Sequence, residues 1–117
     1  MKYETLIVDK DKRGVVSLTL NRPEKRNALS AKMIDELTDF AASLTSDIRV
    51  TVIQGAGNLF CAGGDLEWMN AQINADRSTR IVEARKLALM LKALNELPVP
   101  LIAKVHGAAY GGGVGLA

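Results

Sequence analysis

The sequence predicts an α/β chain. Three observations carry that prediction: short β-branched or alternating runs recur, amphipathic helical segments lie between them, and two of the runs end in glycine-rich turns. Glu4 to Val8 and Val15 to Leu20 read as strands, joined across the polar, glycine-ended Asp9–Gly14 as a hairpin. In the second strand Val16, Leu18 and Leu20 alternate with Ser17 and Thr19, the period of a half-buried strand. A polar loop from Asn21 to Asn27, broken by Pro23, follows.

Ser30 is placed to cap a helix. Met33, Ile34, Leu37, Phe40, Ala41 and Leu44 fall on one face, with Lys32, Asp35, Glu36 and Asp39 opposite. Arg49 to Gln54 is a β-branched run that stops at Gly55, and Gly55 to Asp65 is a glycine-rich loop. A second helix is predicted from about Thr79 to Leu97, closed by Pro98, with a stripe of Ile81, Ala84, Leu87, Ala88, Leu91 and Leu94. Leu101 to Val105 reads as a short buried strand entering Gly107–Gly115. Val114-Gly115-Leu116-Ala117 reads as the opening of a buried helix, so the expectation is a single domain interrupted at that point.

At 117 residues, 48% of them apolar, the chain can supply a core, burying somewhat under ~70% of its unfolded surface. A net charge of +2 is too small to imply nucleic acid or an anionic membrane as partner. Cys61 is the single cysteine, which rules out an intrachain disulfide and a CxxC metal pair, and a lone thiol suits a reducing compartment. No apolar run approaches the length of a signal-peptide core or a membrane helix, so the expected location is cytoplasmic.

The informative feature is a repeated local design, a buried strand running into a glycine-rich turn that starts a helix. Such a turn exposes unpaired N–H groups with partial positive charge, suited to a phosphate or to a developing oxyanion. Gly107 and Gly112 have the spacing of a nucleotide-triphosphate loop, but Gly113 stands where its lysine belongs. A dinucleotide fingerprint begun at Gly111 meets Gly113 and then Leu116, so it fails, and there is no G-x-S-x-G serine elbow. A paired oxyanion hole remains among the familiar options, beside the plain reading that the glycines only make tight turns and close packing.

Phe60-Cys61-Ala62-Gly63-Gly64-Asp65-Leu66 is very similar to the F-x-A-G-[AG]-D-[LI] motif of the enoyl-CoA hydratase/isomerase (crotonase) family. Asn21-Arg22-Pro23 with Asn27-Ala28-Leu29 resembles the family's N-terminal signature, and His106 to Gly113 its second oxyanion-hole motif. The likeness runs in the family's order over essentially the whole chain. It implies a crotonase-like spiral of ββα units, of which these residues are the N-terminal half. It also implies that the N–H groups of Gly64 and Gly112 grip the thioester oxygen of an acyl-CoA, stabilising the enolate that forms. Gly63 and Gly111 belong to the same turns, and the backbone around Ala28 and Ala62 is implied to hold the coenzyme A moiety. Lys25 and Arg26 are candidates for its phosphates, or else a solvated charged loop. Asp65 belongs to the substrate loop or caps the following helix, and Trp68, with Met69, lines the acyl pocket or packs the core. No cofactor or metal is implied beyond coenzyme A as part of the substrate, and the complete protein is implied to be a homotrimer or hexamer.

The resemblance also shows a departure. The family's first catalytic carboxylate stands two residues after the last glycine of the second motif, where this chain has Gly115, and the second would lie beyond Ala117. The string Gly107 to Leu116 is similar to members acting on branched or carboxylated enoyl-CoAs, such as methylglutaconyl-CoA and carboxygeranoyl-CoA hydratases. Three functions stay open: hydration of a 2-enoyl-CoA, isomerisation by a single carboxylate, and acyl-CoA binding without chemistry. His106 offers a proton shuttle or a structural hydrogen bond, and Cys61 a nucleophile or a small buried hydrophobe.

Overall fold

The computed structural model describes residues 2–117. Strands β1 (Leu6–Lys10) and β2 (Val15–Leu20) form the antiparallel hairpin, pairing Val8 with Leu18. The chain then makes one 3₁₀ turn (Pro23–Lys25) and forms helix α1 (Ala31–Ala42), followed by β3 (Val50–Gly55). Helices α2 (Leu66–Asn74) and α3 (Arg77–Asn95), strand β4 (Leu101–Ala103) and helix α4 (Gly112–Leu116) complete it. Strand β3 lies parallel to β2, with Leu18 opposite Ile53, and β4 lies parallel to β3, giving the sheet order β1-β2-β3-β4.

The alternation in β2 does what its period predicts: Val16, Leu18 and Leu20 are buried, and the intervening residues are half-buried. They meet Met33, Ile34, Leu37 and Phe40 from α1 in a core that also takes Phe60, Cys61, Met90 and Leu94. Each longer helix starts on a side-chain cap: Ser30 accepts from the Met33 N–H, Asp65 from Trp68, and Asp76 from Thr79. Such caps are each worth ~1 kcal/mol.

Five expectations need correction. Strand β1 starts at Leu6, not Glu4, because the N–H groups of Glu4 and Thr5 donate to the Glu36 carboxylate instead of to a ladder. Glu36 is accordingly buried and not part of the charged face of α1. Helix α3 begins at Arg77, and its inner face is Met90 and Leu94 with Leu87 and Leu91, while Ile81 is 55% exposed and Ala84 and Ala88 face outward. Strand β4 is shorter than expected and is no buried strand, since it forms the sheet edge with Ile102 53% exposed. The last helix buries Leu116 but leaves Val114 exposed. Among the described residues no helix is long and apolar enough to cross a membrane.

Candidate active site

Three loops converge beyond the carboxyl ends of β2, β3 and β4. The first, after β2, places Arg26 and Asn27 in left-handed backbone, each at φ 55°. Asn27 tolerates that conformation and uses its side chain as a clasp. Fully buried, it donates from Nδ2 to the carbonyls of Ala56, Leu59 and Phe60 and accepts from the Arg22 N–H at Oδ1. The second loop is the turn Phe60–Asp65, and the third is His106–Gly112, which enters α4.

The loops are stitched by short ladders. The Leu29 N–H donates to the Gly63 carbonyl at 2.7 Å, and the Asp65 N–H returns to the Leu29 carbonyl at 2.9 Å. Across the other side the Phe60 N–H donates to Ala108, and the Tyr110 N–H to Cys61 at 3.0 Å. Gly63 sits where the two turns pack together. Its φ is +95°, and a side chain there would begin 2.9 Å from the Tyr110 carbonyl oxygen and 3.6 Å from the Gly112 nitrogen. Gly113 packs more tightly still, since its side chain would meet the Cys61 carbonyl at 2.5 Å.

Gly64 and Gly112 therefore stand on two turns that touch. The parallel bridge to Leu29 uses the groups on either side of Gly64 and leaves its own N–H out. Gly112 is the first residue of α4, where an N–H has no partner within the helix. Among the described residues neither N–H donates to a backbone acceptor. Two unengaged donors on packed turns are groups an oxyanion site could draw on.

The other expected site residues fall around them. Ala28 is buried and Ala62 half-buried beside the first turn, while Lys25 and Arg26 are exposed. Among the described residues no ion pair engages those two cations. Gly111 is exposed at φ 50° and faces the Gly63 Cα. Trp68 is half-buried, with its Cε3 edge 3.9 Å from where a Gly64 side chain would start. It also lines a cavity of about 470 Å³ with Ser30, Lys32, Gln72 and Thr79.

Asp65 is committed to structure: Oδ1 accepts from the Trp68 N–H and Oδ2 from Arg22 at 3.1 Å. Burial pushes its carboxyl up, but the Trp68 N–H and the Arg22 guanidinium outweigh that and hold it below the usual range. Cys61 is buried, donates to the Asn27 carbonyl, and has its thiol pushed up by burial, which is the opposite of an activated nucleophile. His106 Nε2 lies 2.8 Å from the Gly57 carbonyl oxygen, a loop-closing hydrogen bond. Gly115 is exposed on α4 with only Leu91 methyls near it. Arg22 and Asn27 were missed as site residues by sequence reasoning. Their place in the first motif was the available signal, but only the fold shows that they bind separate loops together.

A sheet with loops joined this way brings the Gly64 and Gly112 turns together with both N–H groups unengaged. The chain matches the Enoyl-CoA hydratase/isomerase family over residues 10–117 and belongs to it. It is 39% identical to an enoyl-CoA hydratase of Mycobacterium smegmatis of known structure, with a TM-score of 0.87, covering 93% of this chain and 42% of that one. An enoyl-CoA hydratase from Shewanella pealeana superposes with a TM-score of 0.94 at 31% identity, covering 98% of this chain and 44% of the other. Among curated sequences, the mitochondrial Delta(3,5)-Delta(2,4)-dienoyl-CoA isomerase of Mus musculus is 34% identical over 97% of this chain and 38% of its own length. The chain thus spans less than half the length of the relatives it matches. The crotonase-like α/β fold expected from the motifs is the fold observed.

Proposed function

We propose that the polypeptide carrying this chain hydrates a 2-enoyl-CoA, with Gly64 and Gly112 supplying the oxyanion hole. The observation that carries this reading is the pair of unengaged N–H groups on turns joined by the Tyr110 N–H to the Cys61 carbonyl and packed at Gly63. Water gives up a proton to a base as its oxygen bonds to C3 of the enoyl thioester; the C2–C3 π pair becomes a C1–C2 π bond while the carbonyl π pair moves onto oxygen as an enolate. The enolate then collapses, restoring the carbonyl as C2 takes a proton. The N–H donors stabilise the charge that appears on the oxygen in the middle of that sequence. Ala28 and Ala62 contribute backbone to the coenzyme A site, Lys25 and Arg26 reach its phosphates, and Trp68 borders the acyl group.

The chain's own residues leave proton transfer unassigned. Gly115 has no proton to move, and the Asp65 oxygens are already engaged. A carboxylate elsewhere in the complete polypeptide, or one on a branched, carboxylated substrate, carries that step. The resemblance of Gly107–Leu116 to hydratases of carboxylated enoyl-CoAs supports such a substrate. Isomerisation is the second reading, favoured by Gly115, because moving a proton along the acyl chain needs one base. The complete protein is proposed to work as a trimer or hexamer.

Gly112→Pro is the decisive variant. Proline is well tolerated at the first position of a helix and removes one donor, and a Cβ there meets only the flexible Leu29 Cδ1, at 2.9 Å. Turnover should fall on the order of 10²–10³-fold. Gly112→Ala, which brings the same crowding but keeps the N–H, should retain most of it. Near-normal turnover in the proline variant overturns the assignment.

A further inference from the structure

Arg22 closes a gap that the two-turn description leaves open, namely what fixes the direction of the Gly64 donor. The Arg22 side chain is 16% exposed and leaves the end of β2 to lie between two loops. Nη1 donates to the Ala28 carbonyl at 2.6 Å, and Nη2 to Asp65 Oδ2 at 3.1 Å. Asp65 directly follows Gly64, and its own N–H and carboxylate are tied to Leu29 and Trp68. Arg22 also receives the first loop on its backbone: its carbonyl accepts from Lys25 and Asn27. One planar guanidinium thus spans the loop assigned to coenzyme A and the turn assigned to the oxyanion.

We infer that Arg22 is a positioning residue: by gripping the Ala28 carbonyl and the Asp65 carboxylate together, it orients the Gly64 N–H and couples that donor to the coenzyme A loop. The inference rests on the oxyanion reading above. Lysine cannot substitute, because a single ammonium on a flexible stem does not reproduce the two-pronged geometry. Asp65→Asn keeps a competent helix cap and the Ala28 contact, and so isolates the half of the device that acts on Gly64.

The test is amide hydrogen exchange at Leu29 and Asp65, whose N–H groups flank Gly64, in the complete protein without ligand. It is compared with kcat and KM on a 2-enoyl-CoA. In Arg22→Gln and Arg22→Lys, exchange at these two amides should speed about tenfold or more while amides of β2 and β3 stay unchanged. For Asp65→Asn kcat should fall about tenfold with KM altered less than about threefold, whereas Arg22→Gln should also raise KM. Unchanged exchange at Leu29 and Asp65, a uniform acceleration reaching β2 and β3, or full rescue of kcat by lysine overturns the inference. Because exchange needs no thioester, it decides the positioning role even if the wild-type protein turns over no enoyl-CoA, a result that would sink the oxyanion reading instead.

Discussion

Replacing Gly63 with alanine tests whether the two turns must touch. At φ +95° an alanine carries about 1–2 kcal/mol of backbone strain. Its Cβ would start 2.9 Å from the Tyr110 carbonyl, tighter than the 3.4 Å at which ordinary contact begins, and the obstacle is backbone, not a yielding side-chain tip. Relief requires the turns to part by about half an ångström, with a further 1–3 kcal/mol of overpacking if they do not. The expected loss is about 2–5 kcal/mol of stability if the turns stay together, and less of it is overpacking if they part. Parting the turns also moves Gly64 and Gly112 relative to one another, and a misplacement of ~1 Å can cost ~10²-fold in rate. About a tenfold fall in kcat follows for half that distance. The assay is denaturant unfolding for stability, with the slope checked for constancy, and enoyl thioester absorbance at saturating substrate for kcat. Stability within about 0.5 kcal/mol of wild type would refute the packing argument. A destabilised variant with full kcat would refute the link between turn spacing and catalysis.

Acid should unfold the protein through Glu36 and Asp65. Burial pushes the Glu36 carboxyl up, but the Thr5 hydroxyl and the Glu4 and Thr5 N–H groups hold it below its usual value; Asp65 is likewise depressed. The unfolded chain then binds protons first, so their stabilisation is complete above the ordinary carboxylate range near ~4 and is lost as pH falls from there through their lower folded values. Urea midpoints from neutral pH downward should drop, and drop less steeply in Glu36→Gln, a variant about 2–3 kcal/mol less stable at neutral pH. Cys61, buried with a raised thiol, should resist iodoacetamide in the folded protein and react only on unfolding. Rapid alkylation under native conditions would mean that the turn opens readily.

The architecture was legible because its determinants are local and periodic. The alternation in β2, the Ser30 cap and the one-sided stripe of α1 each specify their own element and agree with its neighbours. Expectation failed where a partner distant in sequence decides. Glu36 looks like one more charge on a polar face until Thr5, 31 residues away, comes to meet it. The stripe assigned to α3 has helical spacing, yet only its C-terminal half finds a core. Periodicity says which residues share a face, but not how far the neighbouring element extends along it.

The site divides along the same line. Glycine turns announce themselves in sequence because few other residues accept φ near +95° or a carbonyl at such short range, so Gly63 and Gly113 could be read as constrained before any fold was known. The direction of an N–H leaves no such mark. Gly64 qualifies as a donor only because Leu29 engages the groups on either side of it and Arg22 fixes the residue that follows. Arginine and asparagine, common in polar loops, gave little sign of this in the sequence. The chemistry proposed for the two glycines thus depends on side chains that hold the turns in place, and substitutions at Arg22 and Asn27 should disturb it as surely as substitutions in the turns themselves.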